Sequence, residues 1–258
     1  MKHLVIAVSA DSSLELLGSY ADIIVLDKEL IPSSMKHYET LYIRSHFGQQ
    51  ALLPQMFRHE IELIVRLAKQ KNPDIKFIDG ADTVDKILAF EDKWLQFNTF
   101  GGFMPKTKLL FNTLDASGFE RPIMKKRLSS RGNGVTWDVN KVTNPLNDWI
   151  MQESLDINEE LRVYVIRGNV YPIGAVRQSM TIVQRAQAVS SRNLTQDEIA
   201  FSFKVGSNAK GMDIVGLDIA RTAGGELRLM EANRSPGFAA FSKLTGINIA
   251  SLLYEEAS

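Results

Sequence analysis

The hydrophobic pattern of this 258-residue chain changes character after about residue 83, and that change constrains the fold more than any other feature. Before it, short apolar runs alternate with helical patterns. Leu4–Val8 and Ile23–Leu26 read as buried strands, with Ser13–Tyr20 as a short helix between them. Thr40–Ile43 reads as a third strand. Pro54–Gln70 carries apolar residues at helical spacing (Ile61, Leu63, Ile64, Leu67), and Ile75–Ile78 is a strand closed by the turn pair Asp79-Gly80. Such alternation builds a small parallel α/β lobe. Its first turn lacks a GxGxxG phosphate fingerprint, so the lobe reads as scaffold or substrate lobe without dinucleotide.

Thr83–Phe97 follows as a helix, with Thr83 as cap and Asp85 in the first turn. Beyond it strands dominate: Lys106–Phe111, Pro122–Arg127, Val135–Val139, Ile150–Leu155, Leu161–Arg167 and Val170–Arg177. Arg167-Gly168-Asn169 makes a tight hairpin turn. Thr195–Asn208 reads as a helix, two more strands follow, and a last helix lies around Ile247–Glu256. Antiparallel strands with few helices predict an α+β part unlike the first lobe.

Thirty basic and thirty acidic side chains cancel, and a chain built for nucleic acid or an anionic membrane shows a basic excess, so neither partner is favoured. The absence of cysteine excludes disulfides, thiol nucleophiles and cysteine-held metal clusters. The apolar run at the N-terminus is short and Asp11 follows at once, which fits a first buried strand better than a signal peptide. No stretch is apolar for eighteen residues. A cytoplasmic protein is the expectation.

The chemistry concentrates in the last hairpin, where Gly216-Leu217-Asp218-Ile219 precedes Leu229-Met230-Glu231-Ala232-Asn233-Arg234-Ser235-Pro236-Gly237. Strand alternation puts Glu231 and Asn233 on one face, and Asp218 on the paired strand can join them. Two carboxylates and an amide oxygen suit Mg²⁺ held between protein and nucleotide phosphates. The bland version is a pair of solvated strand ends matched to Arg228 and Arg234. Upstream, Pro122–Val135 is a strand, a loop rich in Ser and Gly with Lys125, Lys126, Arg127 and Arg131 beside it, and a second strand. Such a loop can bring backbone N–H groups close to triphosphate, or it can be a hairpin with a basic edge. Arg162 and Arg177 are cations inside apolar strands, suited to phosphate or carboxylate, or to ordinary salt bridges with Glu159 or Glu160. The histidines His3, His37, His46 and His59 have no metal-ligand spacing, and no serine sits in a nucleophile elbow.

Taken in order, these pieces resemble the ATP-grasp superfamily, in particular its RimK-type (alpha-L-glutamate ligase-like) carboxylate–amine ligases. The resemblance runs from about Phe90 to the C-terminus. It is carried by Met230–Ala250 (MEANRSPGFAAFSKLTGINIA), Pro122–Val135 (PIMKKRLSSRGNGV), the pair Gln152-Glu153 and the segment Glu91-Asp92-Lys93. It implies an ATP-grasp fold of mixed α/β and α+β class. Residues 1–82 would form a small N-terminal lobe and 83–258 the ATP-grasp domain, with a flap subdomain over about 104–152 and a C-terminal subdomain over about 153–258. It implies that Lys93 and Lys125 reach the nucleotide phosphates, and that Ser129, Ser130, Gly132, Asn133 and Gly134 form the flap. Gln152, Glu153 and Leu155 would contact adenine and Glu160 the ribose. Asp218, Glu231 and Asn233 would hold Mg²⁺, as two ions, for which Mn²⁺ can substitute. Arg177 and Lys125 would stabilise the transferring phosphoryl group, and Arg162, Arg177, Ser235 and Gly237 would face substrate.

The implied reaction is amide formation from ATP, a carboxylate and an amine through an acylphosphate, with an amino acid joined to an amino acid, peptide or protein. A graspetide-type peptide macrocyclase and an ATP-grasp small-molecule kinase are the enzymatic alternatives, and a silent nucleotide-binding module is the alternative from another class. Ser235-Pro236-Gly237 and Thr245-Gly246-Ile247 speak against the macrocyclase. The first lobe does not align with the glutamate ligases, which leaves the substrate open. A homo-oligomer is compatible with all of this.

Overall fold

The computed structural model describes residues 2–26, 28–44, 54–111, 118–129, 134–143, 145–178 and 187–254. The first lobe is a parallel sheet in the order β2-β1-β3-β4, built from β1 (His3–Ala7), β2 (Asp22–Val25), β3 (Thr40–Arg44) and β4 (Lys76–Phe77). Helices α1 (Leu14–Leu17) and α2 (Pro54–Lys71) make its crossovers. β1 is buried over most of its length, as a continuous apolar run in a two-sided parallel sheet must be. The strand expected to run to Ile78 stops at Phe77, because Asp79 adopts a left-handed conformation (φ 65°) inside a 3₁₀ turn over Ile78–Gly80.

The helix expected over Thr83–Phe97 is two helices, α3 (Val84–Glu91) and α4 (Lys93–Phe100). The break is Asp92, whose backbone is extended (φ −93°, ψ 116°) and whose carboxylate caps α4 by accepting from Trp94 and Leu95 N–H. A short polar side chain competes with the helix for those donors, so an aspartate in the middle of a helical pattern starts a new helix.

A small antiparallel sheet follows in the order β5-β8-β6-β7: β5 (Thr107–Leu109), β6 (Pro122–Lys126), β7 (Val135–Thr136) and β8 (Trp149–Glu153). The third sheet carries β9 (Ile157–Ile166), β10 (Asn169–Val170), β11 (Ile173–Gln178), β12 (Gln187–Asn193), β13 (Ile214–Thr222) and β14 (Leu227–Asn233). Its order is β12-β11-β9-β13-β14, with β10 paired to β9. Helix α5 (Gln196–Asn208) opens with a capping box of Thr195 and Glu198. The last helix expected around Ile247–Glu256 is α7 (Ile249–Tyr254), and a further helix, α6 (Ala239–Thr245), precedes it and ends at the left-handed Gly246. No helix among the described residues is long and apolar enough to cross a membrane.

The two faces of the third sheet have different roles. Leu161, Val163, Val165, Val215, Leu217, Ile219, Leu229 and Ala232 form one apolar face that packs with Phe100 and with Val205 of α5. The opposite face is apolar at one end only. There Tyr164, Ile166, Ala175 and Ile214 join Val5, Ala7, Tyr42 and Ile78 of the first lobe and Phe241 and Leu253 of the last helices in one core. The other end of that face is polar, and the candidate site lies on it.

Candidate active site

Sheet register builds the polar face residue by residue. Glu160 and Arg162 of β9 stand opposite Ala220 and Asp218 of β13. Asp218 in turn faces Glu231, and Gly216 faces Asn233. On the other flank Arg177 of β11 faces Glu160. Residues directly opposite in a ladder point to the same side. Arg177, Glu160, Arg162, Asp218, Glu231 and Asn233 therefore share one surface, as the alternation argument required. A β-bulge between β13 and β14 adjusts the phase: Asp218 pairs with Glu231 but Ile219 pairs with Leu229, so Met230 is the extra residue.

Asp218 is the electrostatic centre. Arg162 donates from Nε to Oδ1 at 2.5 Å and from Nη2 to Oδ2 at 2.9 Å. Arg177 Nη1 lies 2.6 Å from Asp218 Oδ1 and donates to Glu160 Oε1 at 2.7 Å. Burial works against the charge of Asp218, but the two arginines outweigh it and hold the carboxyl below the usual aspartate range. Glu160 goes the other way: burial, then the nearby Asp218, push it up, although Arg177 and Arg162 oppose the shift. Asn233 Nδ2 approaches Asp218 Oδ2 at 3.4 Å, so amide and carboxylate are already neighbours.

A second group comes from the small sheet. Lys125 on β6 donates to Gln152 Oε1 at 2.6 Å, and Gln152 Nε2 donates to Thr107 Oγ1 at 2.9 Å. Thr107 spends its own hydrogen on the Pro105 carbonyl. The relay fixes which end of the Gln152 amide faces the lysine, and it shows that the Gln152 side chain is turned to Lys125. Burial, with Lys93 close by, brings Lys125 down to about 8, against the pull of Glu231 and Glu160. Lys93, the first residue of α4, donates to Ser129 O at 2.5 Å and reaches Ser129 Oγ at 3.2 Å. The loop it touches is closed by Gly134, whose carbonyl accepts from Lys126 N. Gly134 has φ +68°, and a Cβ there would lie 2.7 Å from the Lys126 side chain, so both geometry and space require glycine.

The third group is the connection after β14. Its Arg234 carbonyl accepts from Tyr42 Oη, its Pro236 carbonyl from Arg44, and its Gly237 carbonyl from Tyr164 Oη. Phe238 N donates to Ser13 Oγ. Arg234 is itself buried, donates to Ile43 O at 2.7 Å and lies 3.6 Å from the carboxylate of Asp79. Ser235 is buried and Gly237 exposed. Pro236 sits directly on β13, so that a Cβ at Gly216 would be 2.6 Å from its ring.

Of the expected site residues, Ser130, Gly132 and Asn133 lie outside the described residues. Glu153 is exposed at the end of β8, with its N–H donated to Lys106 O, and Leu155 is half-buried in the connection to β9. Tyr42, Arg44 and Ser13, which hold the connection after β14, and Thr107, which orients Gln152, were not singled out from the sequence. A buried arginine at the end of an apolar strand, Arg44, was the available signal. Among the described residues no cluster of three or more His, Cys, Asp or Glu side chains is placed to hold a metal ion. Mg²⁺ does not demand such a cage, since it is commonly held by one or two carboxylates together with substrate phosphates. The donor chemistry of Asp218, Glu231 and Asn233 fits that pattern.

Residues 110–256 match the model of the RimK-like ATP-grasp domain. The chain belongs to the RimK-like ATP-grasp family. It is thereby an ATP-using enzyme of the ligase kind that forms carbon–nitrogen bonds. No curated protein sequence matches this RimK-like chain. Among solved structures it is similar to the ATP-grasp ligase PsnB complexed with minimal precursor, at 12% identity and a TM-score of 0.67, over 99% of this chain and 98% of that one. The macrocyclase MdnB from Microcystis aeruginosa MRC matches at 13% identity and a TM-score of 0.67, over 99% of both chains. D-cycloserine synthetase DcsG matches at 14% identity and a TM-score of 0.70, over 99% of this chain and 100% of that one. At these identities the likeness is one of fold. It extends over the first lobe of the RimK-like chain as well as over the region of the family match.

Proposed function

We propose that the protein is a carboxylate–amine ligase that joins an amino acid to an amino acid, peptide or protein through an acylphosphate. The observation that carries this reading is the sheet face on which Asp218, Glu231 and Asn233 adjoin Arg162 and Arg177. Lys93, Lys125 and the loop from Ser129 to Gly134 are assigned to the phosphates of ATP. Gln152, Glu153 and Leu155 are assigned to adenine, Glu160 to the ribose, and Arg162, Ser235 and Gly237 to the substrate. The side chain of Gln152 also accepts from Lys125, which ties the adenine end to the phosphate end.

Asp218, Glu231 and Asn233 are the residues that would hold Mg²⁺, in one or two ions. Bound there, it supplies positive charge to the phosphate oxygens. The protein's own groups do the rest. A substrate carboxylate oxygen attacks the γ-phosphorus and ADP leaves. Lys125 and Arg177 neutralise charge gathering on the phosphoryl oxygens, the main task in such a transfer. The amine then attacks the acyl carbon and phosphate departs with the bonding pair. The flap excludes water, which would otherwise hydrolyse the acylphosphate.

An ADP-release screen over amino acids and amine acceptors, with mass spectrometry of the products, tests the reading. An amide-linked product formed with ADP and phosphate supports it. A stable phosphorylated product that needs no amine sinks it in favour of a kinase. Macrocyclisation of a peptide is the second reading, and it rests on the match of the macrocyclase MdnB over 99% of the chain, first lobe included. Loss of one water from a single peptide, without any added acceptor, identifies that outcome.

A further inference from the structure

Helix α4 touches both halves of the site at once. At its first residue is Lys93, and at its cap is Asp92, which is buried. Arg127, the residue after β6 and two positions beyond Lys125, grips that cap. Its Nε donates to both Asp92 oxygens at 3.1 Å and its Nη2 to Oδ2 at 2.6 Å. Lys93 N–H donates back to the Arg127 carbonyl at 3.1 Å. Arg127 is further tied to the start of β8 through Asn147 O and Asp148 O. One turn along the helix, Gln96 is also buried, and its Oε1 accepts the N–H of Ala232 at 3.0 Å. Ala232 lies between Glu231 and Asn233.

We propose that the first turn of α4 is a brace, in which the Asp92–Arg127 pair and Gln96 are positioning residues that set Lys93 and Lys125 at a fixed reach from the Glu231–Asn233 strand. The proposal rests on the assignment of Lys93 to the nucleotide phosphates. Two features make the brace more than ordinary packing. A planar guanidinium on a carboxylate that already caps a helix defines direction as well as distance. Gln96 reaches the one backbone N–H that lies between two of the assigned Mg²⁺ ligands. A displacement of about 1 Å at such a point costs up to roughly a hundredfold in a positioned reaction, without removing any group that touches substrate.

Calorimetric titration of the full-length protein with AMPPNP, with and without Mg²⁺, separates the two ends. Arg127→Met is expected to weaken AMPPNP binding roughly tenfold under both conditions, and Arg127→Lys to recover part of it, because lysine restores the charge without the fork. Gln96→Met is expected to leave metal-free binding near wild type and to lose most of the gain that Mg²⁺ brings. Lys93→Met is the reference. Weak binding by Lys93→Met beside wild-type binding by Arg127→Met and Gln96→Met overturns the brace alone. Wild-type binding by Lys93→Met overturns the assignment of Lys93, and the brace with it. If Arg127→Met does not fold, Arg127→Lys carries the comparison, and wild-type affinity in that variant and in Gln96→Met overturns the proposal.

Discussion

Asp218 stands directly across from Glu231, and it does so because Met230 is bulged out of the ladder. In a regular strand Leu229 and Glu231 would share a face. The bulge lets Leu229 stay in the apolar core while Glu231 turns toward Asp218.

The two acids are held differently, so their neutral variants should fail differently. Asp218→Asn and Glu231→Gln are both expected to abolish Mg²⁺-dependent ADP release. Only Asp218→Asn should also lower stability, on the order of 3 kcal/mol, since it strips Arg162 and Arg177 of a buried counter-charge. Urea unfolding beside an ADP-release assay checks both. Full activity in the two variants would remove the metal assignment.

With Lys125 assigned to the phosphates, nucleotide binding should depend on pH. The Lys125 ammonium is brought down to about 8 in the free protein, and bound phosphates favour the charged form. Binding of ATP should therefore take up close to one proton at about pH 9 and almost none at about pH 6, and affinity should fall as pH rises through 8. Calorimetry in buffers of different ionisation enthalpy measures the uptake, which Lys125→Met should eliminate.

Acid stability should depend on Glu198. Burial opposes its charge, but Arg192, the Thr195 N–H and Arg221 outweigh burial and take it from 4.5 to about 2. A carboxylate lowered on folding stabilises above its unfolded pKa, and that contribution is lost as pH falls through the folded value. Glu198→Gln should remove about 2 kcal/mol at neutral pH, less than the full shift because both arginines reach solvent, and much less near pH 2. Denaturant midpoints across that range decide it.

Gly216→Ala tests the seat of Pro236. The added Cβ would lie 2.6 Å from the proline ring and 3.3 Å from Arg162 Cδ. Overpacking of this kind costs about 1–3 kcal/mol, and the shift should raise KM for the carboxylate substrate more than KM for ATP. Equal KM values to wild type would mean that the connection after β14 does not touch substrate.

The alternation of Glu231 and Asn233, the apolar runs of β1 to β3 and the helix α5 were legible because each follows from local pattern. The split at Asp92 was less so, since the aspartate reads as an ordinary polar residue until Arg127, distant in sequence, arrives to partner it. β12 was hidden because Gln187–Asn193 shows no alternation of apolar and polar residues, with Ala188 and Val189 adjacent and the rest polar, and it pairs as an outer strand of its sheet. Helix α6 was hidden because Ser235-Pro236-Gly237 reads as loop, and the seven residues Ala239–Thr245 that follow are too short a run before Gly246 to show a helical period. The hold of Gln152 on Lys125 was hidden for a different reason. The orientation of its side-chain amide depends on Thr107, which only the pairing of β5 with β8 brings near.

The backbone from Arg234 to Phe238 hangs mainly from first-lobe side chains: Tyr42, Arg44 and Ser13. An exchange of the first eighty or so residues between relatives would therefore not be a swap of an independent cassette. A chimera that grafts a foreign first lobe must bring matching donors at these places, or the segment beyond Asn233 loses its moorings. Recombination points in this family should accordingly be sought where no such crossing bonds are cut.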